Sequence, residues 1–210
     1  MASQTGLRLL GHDSWERFTE FKGSVPSAGK YEIVIKGSSG IRTGLVLEKA
    51  AGATTIITSS LKEKLHYVQH KYGADYTTNY KTTSKWAEEV QKITHGSGVD
   101  YILENRGSGT IKQSLEAVSY GVNIAVIGFL SPPLQYTMPD VAGLALAKGV
   151  IVRGIMVGSK QQLEDAVRFI GTHNIPVPVE KTFKFSRDQV TEAYTYLASR
   201  QHTGKVGIDF

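Results

Sequence analysis

The chain has 210 residues, of which 40% are hydrophobic and 20% are charged, which are ordinary proportions for a soluble globular domain. It contains no cysteine, so disulfides, thiolate metal sites and a cysteine nucleophile are excluded. The net charge of +5 is scattered without a basic block, no apolar run could span a bilayer, and the N-terminus lacks a secretory pattern. We therefore expect a cytoplasmic protein that binds neither nucleic acid nor membranes.

The first 60 residues predict an entry segment followed by a strand–helix–strand unit. Residues 1–30 read as a polar tail with a short amphipathic helix at 12–21. An apolar strand then leads into the turn 37–40, a helix over 41–50 and a β-branched strand over 54–58. Such a unit directs a helix N-terminus and free backbone N–H groups at one point, which suits a phosphate.

Strands and helices continue to alternate along the rest of the chain. Six alternating strands predict an α/β fold with a doubly wound, Rossmann-like parallel sheet and a short C-terminal extension. Among the helices, Ser84 is predicted as an N-cap, and a helix over 161–170 is predicted to bury a core stripe of Leu163, Val167 and Ile170. The remaining predicted segments are helices at 61–72, 84–94, 111–118, 141–148 and 187–199 and extended stretches ending at Asn79–Tyr80 or spanning 99–103, 123–127, 150–157, 177–185 and 205–210.

The turn at 37–40 keeps only part of the dinucleotide fingerprint G-x-G-x-x-G. Gly37 matches the first glycine, but Ser39 stands at the second position and Arg42 at the third. The second glycine lets the backbone approach a pyrophosphate, and the third allows close helix–strand packing. The pattern predicts the fold and leaves the binding of a dinucleotide open.

Several sequence pieces, taken in order, resemble the cofactor domain of the medium-chain dehydrogenase/reductase superfamily, the zinc-type alcohol dehydrogenase and quinone reductase group. They are the turn at 37–41, KAAGATTIITSS followed by Lys64, YGADYTTNY, GSGVDYILE, IAVIGFLS, VRGIMVGS and GKVGI. The resemblance covers residues 15–210. It implies one Rossmann-like domain over 1–210, with 1–30 as tail and linking helix and 177–210 as segments that normally return to a catalytic domain. That catalytic domain is missing from this sequence, so we expect a truncated relative.

The resemblance also implies a set of cofactor-binding positions. Ser59, Ser60 and Lys64 stand where an NAD-binding protein would carry an acidic residue for the ribose hydroxyls, so NADP(H) is implied if either cofactor binds. The alternative is a surface Ser/Lys loop without a ligand. The full predicted cofactor set is Gly37, Ser39, Gly40, Ser59, Ser60, Lys64 and Gly128.

Two arginines are expected to enter this cleft. Arg106 stands where the family usually has a small or apolar residue, and we predict it to be catalytic together with Glu104 and Tyr80, although Glu104 and Arg106 could instead form a structural ion pair. Arg42 could bind substrate or lie solvated at the cleft rim. The predicted substrate-binding set is Arg42, Phe129 and Tyr136.

Three further features of the sequence remain: a serine at a turn, a pair of histidines and an apolar edge strand. Ser39 sits at a strand–turn–helix tip, but the string lacks the final glycine of G-x-S-x-G, and no His and Asp partner can be assigned. His66 and His70 have metal-ligand spacing without an identifiable third ligand, so no metal is predicted. The apolar strand over 150–157 resembles the family's edge strand, so we expect a homodimer through it.

These features lead to a first hypothesis of non-redox chemistry. A truncated reductase relative would use the former cofactor cleft, without a cofactor, for a cyclisation or isomerisation of a small organic substrate in a biosynthetic pathway. The alternative is an NADPH-dependent oxidoreductase that dimerisation completes. A third possibility is a non-catalytic binding or scaffold protein.

Overall fold

The computed structural model describes residues 32–36, 41–131, 138–177, 179–199, 202 and 204–210. Three features of the sequence prediction lie outside these residues: the helix at 12–21, the turn at 37–40 with its candidates Gly37, Ser39 and Gly40, and Tyr136.

Six of the described strands form one parallel sheet in the order β3-β2-β1-β4-β5-β6. The order reverses beside β1, which pairs with β2 on one side and with β4 on the other. The predicted doubly wound α/β sheet is therefore confirmed. The strands are β1 (Glu32–Lys36), β2 (Thr54–Ser59), β3 (Tyr76–Asn79), β4 (Val99–Glu104), β5 (Val118–Val126) and β6 (Ile151–Gly154).

Helices connect the strands and cover both faces of the sheet. Along the described residues they are α1 (Ile41–Ala50), α2 (Lys62–Tyr72), α3 (Trp86–Ile93), α4 (Ile111–Ala117), α5 (Val141–Lys148), α6 (Lys160–Thr172) and α7 (Arg187–Ala198), with a 3-10 turn at Gly107–Gly109. No helix in the described part of the chain is long and apolar enough to cross a membrane.

Two apolar clusters fill the space between the helices and the sheet. Ile56 and Ile57 are adjacent in β2 and both fully buried, yet they belong to different clusters because successive strand side chains point to opposite faces. The Ile57 cluster packs α1 and α2 on one face through Leu45, Leu65 and Val68. The Ile56 cluster packs α3 and α4 on the other face, with Trp86, Val90, Ile111 and Leu115 among its members.

Two local predictions about helices are wrong. Lys85, not Ser84, is the N-cap of α3, and it makes no side-chain capping bond. In α6, Leu163 and Val167 are 65% and 60% exposed, so the predicted stripe is not part of the core. The amphipathic pattern is present, but α6 follows the edge strand β6, and the described elements do not cover that face of the helix.

The C-terminal unit, which we define as residues 179–199, 202 and 204–210, forms a small strand–helix–strand layer of its own. Strand β7 (Val179–Lys184) pairs in parallel with β8 (Lys205–Asp209), and α7 connects them. Its contacts with the first half of the chain include the pair of Arg42 with Glu180 and the bond from Lys64 to the carbonyl of His202. The segments that were predicted to return to a catalytic domain therefore pack on this chain's α1 and α2.

Candidate functional site

Several of the sequence-predicted residues that the structure describes lie close to the carboxyl ends of the parallel strands. Tyr80 follows β3, Arg106 follows β4, and Gly128 and Phe129 follow β5. Ser59 ends β2. In open α/β sheets the crevice outside these ends, at the point where the strand order reverses, is where ligands bind. Here the reversal lies between β1 and β4, directly beside Arg106.

Glu104 ends β4 and is completely buried. Its Oε1 accepts hydrogen bonds from the backbone N–H groups of Arg106 (2.9 Å) and Gly107 (3.2 Å) and from the Thr110 hydroxyl (2.8 Å), while Oε2 accepts from the Ser114 hydroxyl. These donors surround the start of α4, where a negative charge is favourable. The geometry fits a carboxylate that shapes the loop after β4, and a catalytic role for Glu104 stays a prediction.

The Arg106 side chain is held by hydroxyl groups. Nη1 donates to the Tyr80 hydroxyl oxygen at 2.7 Å, Nη2 lies 3.5 Å from the Ser131 hydroxyl, and the guanidinium carbon is 5.0 Å from the centre of the Tyr80 ring. Nε is buried and has no hydrogen-bond partner among the described residues. The guanidinium forms no ion pair with Glu104 or any other carboxylate of the described residues, so the suspected structural ion pair does not form.

The loops after β4 and β5 touch because Gly128 has no side chain. A Cβ on Gly128 would lie 2.4 Å from the carbonyl oxygen of Asn105, which is far inside contact distance. Phe129, next to it, is 65% exposed. Gly128 and Phe129 thus lie beside Arg106, and their roles toward cofactor and substrate stay predictions.

The loop after β2 and the helix that follows it carry three predicted cofactor-binding residues, Ser59, Ser60 and Lys64. Ser59 is buried and its hydroxyl accepts from the N–H of Leu61 at 3.5 Å, whereas Ser60 is partly exposed. Lys64 donates to the carbonyl of His202 at 3.1 Å. Partial burial lowers the pKa of Lys64, the Glu180 carboxylate opposes that shift, and the Arg42 cation adds to it.

Arg42 is the second residue of α1 and lies between α2 and the C-terminal unit. It is 2% exposed, its Nη2 pairs with Glu180 at 3.0 Å, and its guanidinium carbon is 4.6 Å from the Tyr67 ring centre. Nη1 donates to the Tyr72 hydroxyl at 3.3 Å. Arg42 is therefore not solvated at a rim, and substrate binding by it stays a prediction that would require Glu180 to release it.

The Glu180 carboxylate also accepts hydrogen bonds from groups other than Arg42. It accepts hydrogen bonds from the Tyr196 hydroxyl at 2.8 Å and from the backbone N–H of Gly204. The bond to the carboxylate raises the pKa of Tyr196. Glu180 was not singled out from the sequence, because 138 residues separate it from Arg42 and no local pattern links the two.

His66 and His70 do come together on α2, with ring centres 4.0 Å apart. Within the described ranges no three His, Asp or Glu residues are grouped closely enough to hold a metal ion. The chain has no cysteine to contribute a thiolate.

Comparison with known proteins decides the family. Residues 44–172, more than half of the chain, match the family model described as zinc-binding dehydrogenase. The chain belongs to this family. The predicted membership in the medium-chain dehydrogenase/reductase superfamily is thus confirmed, and the matching part is its NAD(P)-binding domain. The described residues do not supply a zinc ligand set.

Individual relatives agree with this assignment. A zinc-type alcohol dehydrogenase-like protein of Schizosaccharomyces pombe is 37% identical over 176 residues, which are 83% of this chain and 50% of that protein. A second protein of that description, from Leptosphaeria maculans, is 29% identical and is matched over 85% of this chain and 49% of its own. A solved candidate alcohol dehydrogenase of Sinorhizobium meliloti 1021 is 34% identical with a TM-score of 0.75, covering 87% of this chain and 51% of that one. This chain spans about half the length of the curated relatives it matches.

Proposed function

We propose that this chain binds NADP(H) and acts as the nicotinamide-cofactor part of an oxidoreductase. The observation that carries the proposal is the end of β2, where Ser59 and Ser60 stand instead of an acidic residue and Lys64 is partly buried on the next helix. An acidic residue there would bind the ribose hydroxyls of NAD and repel a 2′-phosphate, whereas a nearby cation accommodates the phosphate of NADP.

The residues present fit such a cofactor at its phosphorylated ribose. The Lys64 ammonium group, which donates to the carbonyl of His202, carries the positive charge that accommodates a 2′-phosphate. Ser60 is partly exposed beside it. Partial burial strengthens the attraction between Lys64 and a phosphate compared with bulk water. When bound, the cofactor would supply the hydride, and this chain's residues would bind and orient it.

Calorimetric titration of the protein with NADPH and with NADH tests the proposal. We expect NADPH to bind more tightly, by about tenfold or more, since a charge-assisted hydrogen bond contributes about 1.5–3 kcal/mol. Lys64→Met should remove most of this preference. Lys62→Met is the matched control, because Lys62 lies exposed on the same helix and its loss should leave the preference unchanged. Equal affinity for both cofactors, or an unchanged preference in Lys64→Met, would contradict the proposal.

The hypothesis of cofactor-free cyclisation or isomerisation has no support from the relatives, all three of which carry dehydrogenase names. It stays a prediction. If the protein bound neither NADPH nor NADH even at high cofactor concentration, the hypothesis of cofactor-free chemistry would be favoured over the oxidoreductase.

We further propose that the protein forms a homodimer through β6. This strand is the last in the sheet order, so one of its edges is unpaired among the described strands. Ile151 within it is 40% exposed, and Met156 just beyond it is almost fully exposed. Sedimentation equilibrium should show a dimer. Ile151→Lys should shift it to a monomer, since charged side chains protect sheet edges from pairing. A monomeric parent protein would contradict the proposal.

A further inference from the structure

Arg106 and Tyr80 join two strands that are not neighbours. Strands β4 and β3 have β1 and β2 between them, which at about 4.8 Å per spacing places them about 14 Å apart. Two long side chains, extended toward each other, close this gap with a 2.7 Å hydrogen bond. The Arg106 guanidinium therefore lies within the crevice at the reversal of strand order, where a ligand would enter.

Among the described residues, no carboxylate compensates the charge of Arg106. Its two side-chain hydrogen bonds go to neutral hydroxyl groups, those of Tyr80 and Ser131, and the second is long at 3.5 Å. The nearest acidic residue in sequence, Glu104, points its oxygens at the backbone N–H groups of Arg106 and Gly107 and at two hydroxyls. Of the five N–H donors of a guanidinium, the described residues use two, and the buried Nε–H is among those left over.

We propose that Arg106, with Tyr80 and Ser131, forms a subsite for an oxyanion group, a carboxylate or a phosphate, of a small-molecule ligand. A planar guanidinium with unused N–H donors suits these groups, which can accept two hydrogen bonds at once, better than any neutral ligand. The Glu104 carboxylate accepts hydrogen bonds from the backbone N–H groups of Arg106 and Gly107, and these bonds fix the loop that carries Arg106. The exposed side chains of Phe129 and Leu130 lie in the neighbouring loop and provide apolar surface for the rest of the ligand.

Two sources could supply the oxyanion: the substrate, or a phosphate of the cofactor. The assignment to a substrate rests on the proposed NADP(H)-dependent function. The subsite itself does not, because it is argued from the uncompensated charge and from its place at the strand ends.

Nuclear magnetic resonance of 15N-labelled protein can observe the subsite directly, through the Nε–H signals of the arginines and the backbone amides of Gly107 and Ser131. Sodium phosphate and sodium propionate are titrated separately, with sodium chloride balancing the ionic strength. We expect saturable shifts of the Arg106 Nε–H signal and of both amides with each oxyanion, and no saturation with chloride alone.

Variants then attribute the binding to Arg106. In Arg106→Gln the saturable shifts of the two amides should weaken by about tenfold or vanish, because a charge-assisted pair is lost. Arg106→Lys should retain part of the affinity, since it keeps the charge without the bidentate geometry. Arg168→Gln removes the same charge from an exposed position on α6 and should bind like the parent protein. Absence of saturable shifts, or unchanged affinity in Arg106→Gln, would overturn the proposal.

Repeating the titrations with saturating NADPH distinguishes the two sources. If propionate still binds, the subsite serves the substrate. If NADPH displaces it, the subsite holds a cofactor phosphate. If NADPH does not bind at all while propionate does, the proposed cofactor function fails and the oxyanion subsite stands.

Discussion

Arg42 and Arg106 each place a cation where the family pattern has a small or apolar residue, yet the structure surrounds only Arg42 with a counter-charge among the described residues. Arg42 is 2% exposed and pairs with the Glu180 carboxylate between α2 and the C-terminal unit. Arg106 is partly buried at the sheet's carboxyl edge, and its side chain is held by the hydroxyl groups and the aromatic ring of described residues, none of them a carboxylate. Removing a cation from water is costly unless a counter-charge replaces the water. A fully buried arginine therefore needs its carboxylate for folding, whereas a partly hydrated one can keep its charge for a ligand.

The largest expected effect comes from Arg42. Arg42→Met should lower the free energy of unfolding by about 3 kcal/mol, because it leaves the partly buried Glu180 without its cation. Urea unfolding, followed by circular dichroism, gives this value. The double variant Arg42→Met/Glu180→Gln should recover part of the loss. If the single variant is as stable as the parent, the pair does not hold the C-terminal unit to α1 and α2.

A second prediction sharpens the comparison with a buried acid that has no counter-charge. Glu48 lies on α1 with Arg42, is 5% exposed, and neither carboxyl oxygen has a partner in the described part of the chain. Burial raises the pKa of Glu48 well above its ordinary value. In the unfolded state Glu48 has its ordinary pKa of about 4.3 and loses its proton above that pH, whereas in the folded state it keeps the proton to higher pH.

Because the folded pKa of Glu48 is the higher one, its contribution to stability is full below the unfolded pKa and is lost as pH rises toward the folded pKa. The loss is about 1.4 kcal/mol per pH unit within that window. Glu48→Gln cannot ionise, so its free energy of unfolding relative to the parent should rise across the window. Thermal unfolding of both proteins from pH 4 upward measures the difference, and parallel curves would contradict a buried, protonated Glu48.

The third prediction concerns the effect of Glu180, the partner of Arg42, on the preference for NADPH over NADH. Glu180 acts electrostatically on Lys64, which we propose to bind the 2′-phosphate. Glu180→Gln should therefore raise the affinity for NADPH a few-fold, on the order of 1 kcal/mol or less, without changing that for NADH. Calorimetry provides both constants. Glu192→Gln, which removes an exposed carboxylate of α7, is the control. A gain for both cofactors alike would indicate a loosened fold rather than relief of repulsion.

The smallest effect is expected from Arg106 on stability. Arg106→Met should change the free energy of unfolding by less than about 1 kcal/mol, because the side chain is partly exposed and forms no ion pair within the described residues. The same urea unfolding experiment serves here. A loss as large as that of Arg42→Met would erase the distinction between the two arginines and make Arg106 a structural residue.

Local pattern predicted much of the architecture. The β-branched runs and the order of family pieces led to the parallel sheet and to the family, both confirmed. The same reasoning failed for the stripe of Leu163 and Val167, because amphipathic spacing says that a helix has an apolar face and not which element covers it.

The sequence by itself determined which segments become strands and helices, that they build a dehydrogenase cofactor domain, and that two arginines replace family residues. Only the tertiary structure decided what each arginine does with its charge. Glu180 reaches Arg42 across 138 positions, and Tyr80 reaches Arg106 across 26. Such pairings arise when the sheet and the C-terminal unit are assembled, and the burial and counter-charge they create set whether a cation stabilises the fold or stays open to a ligand.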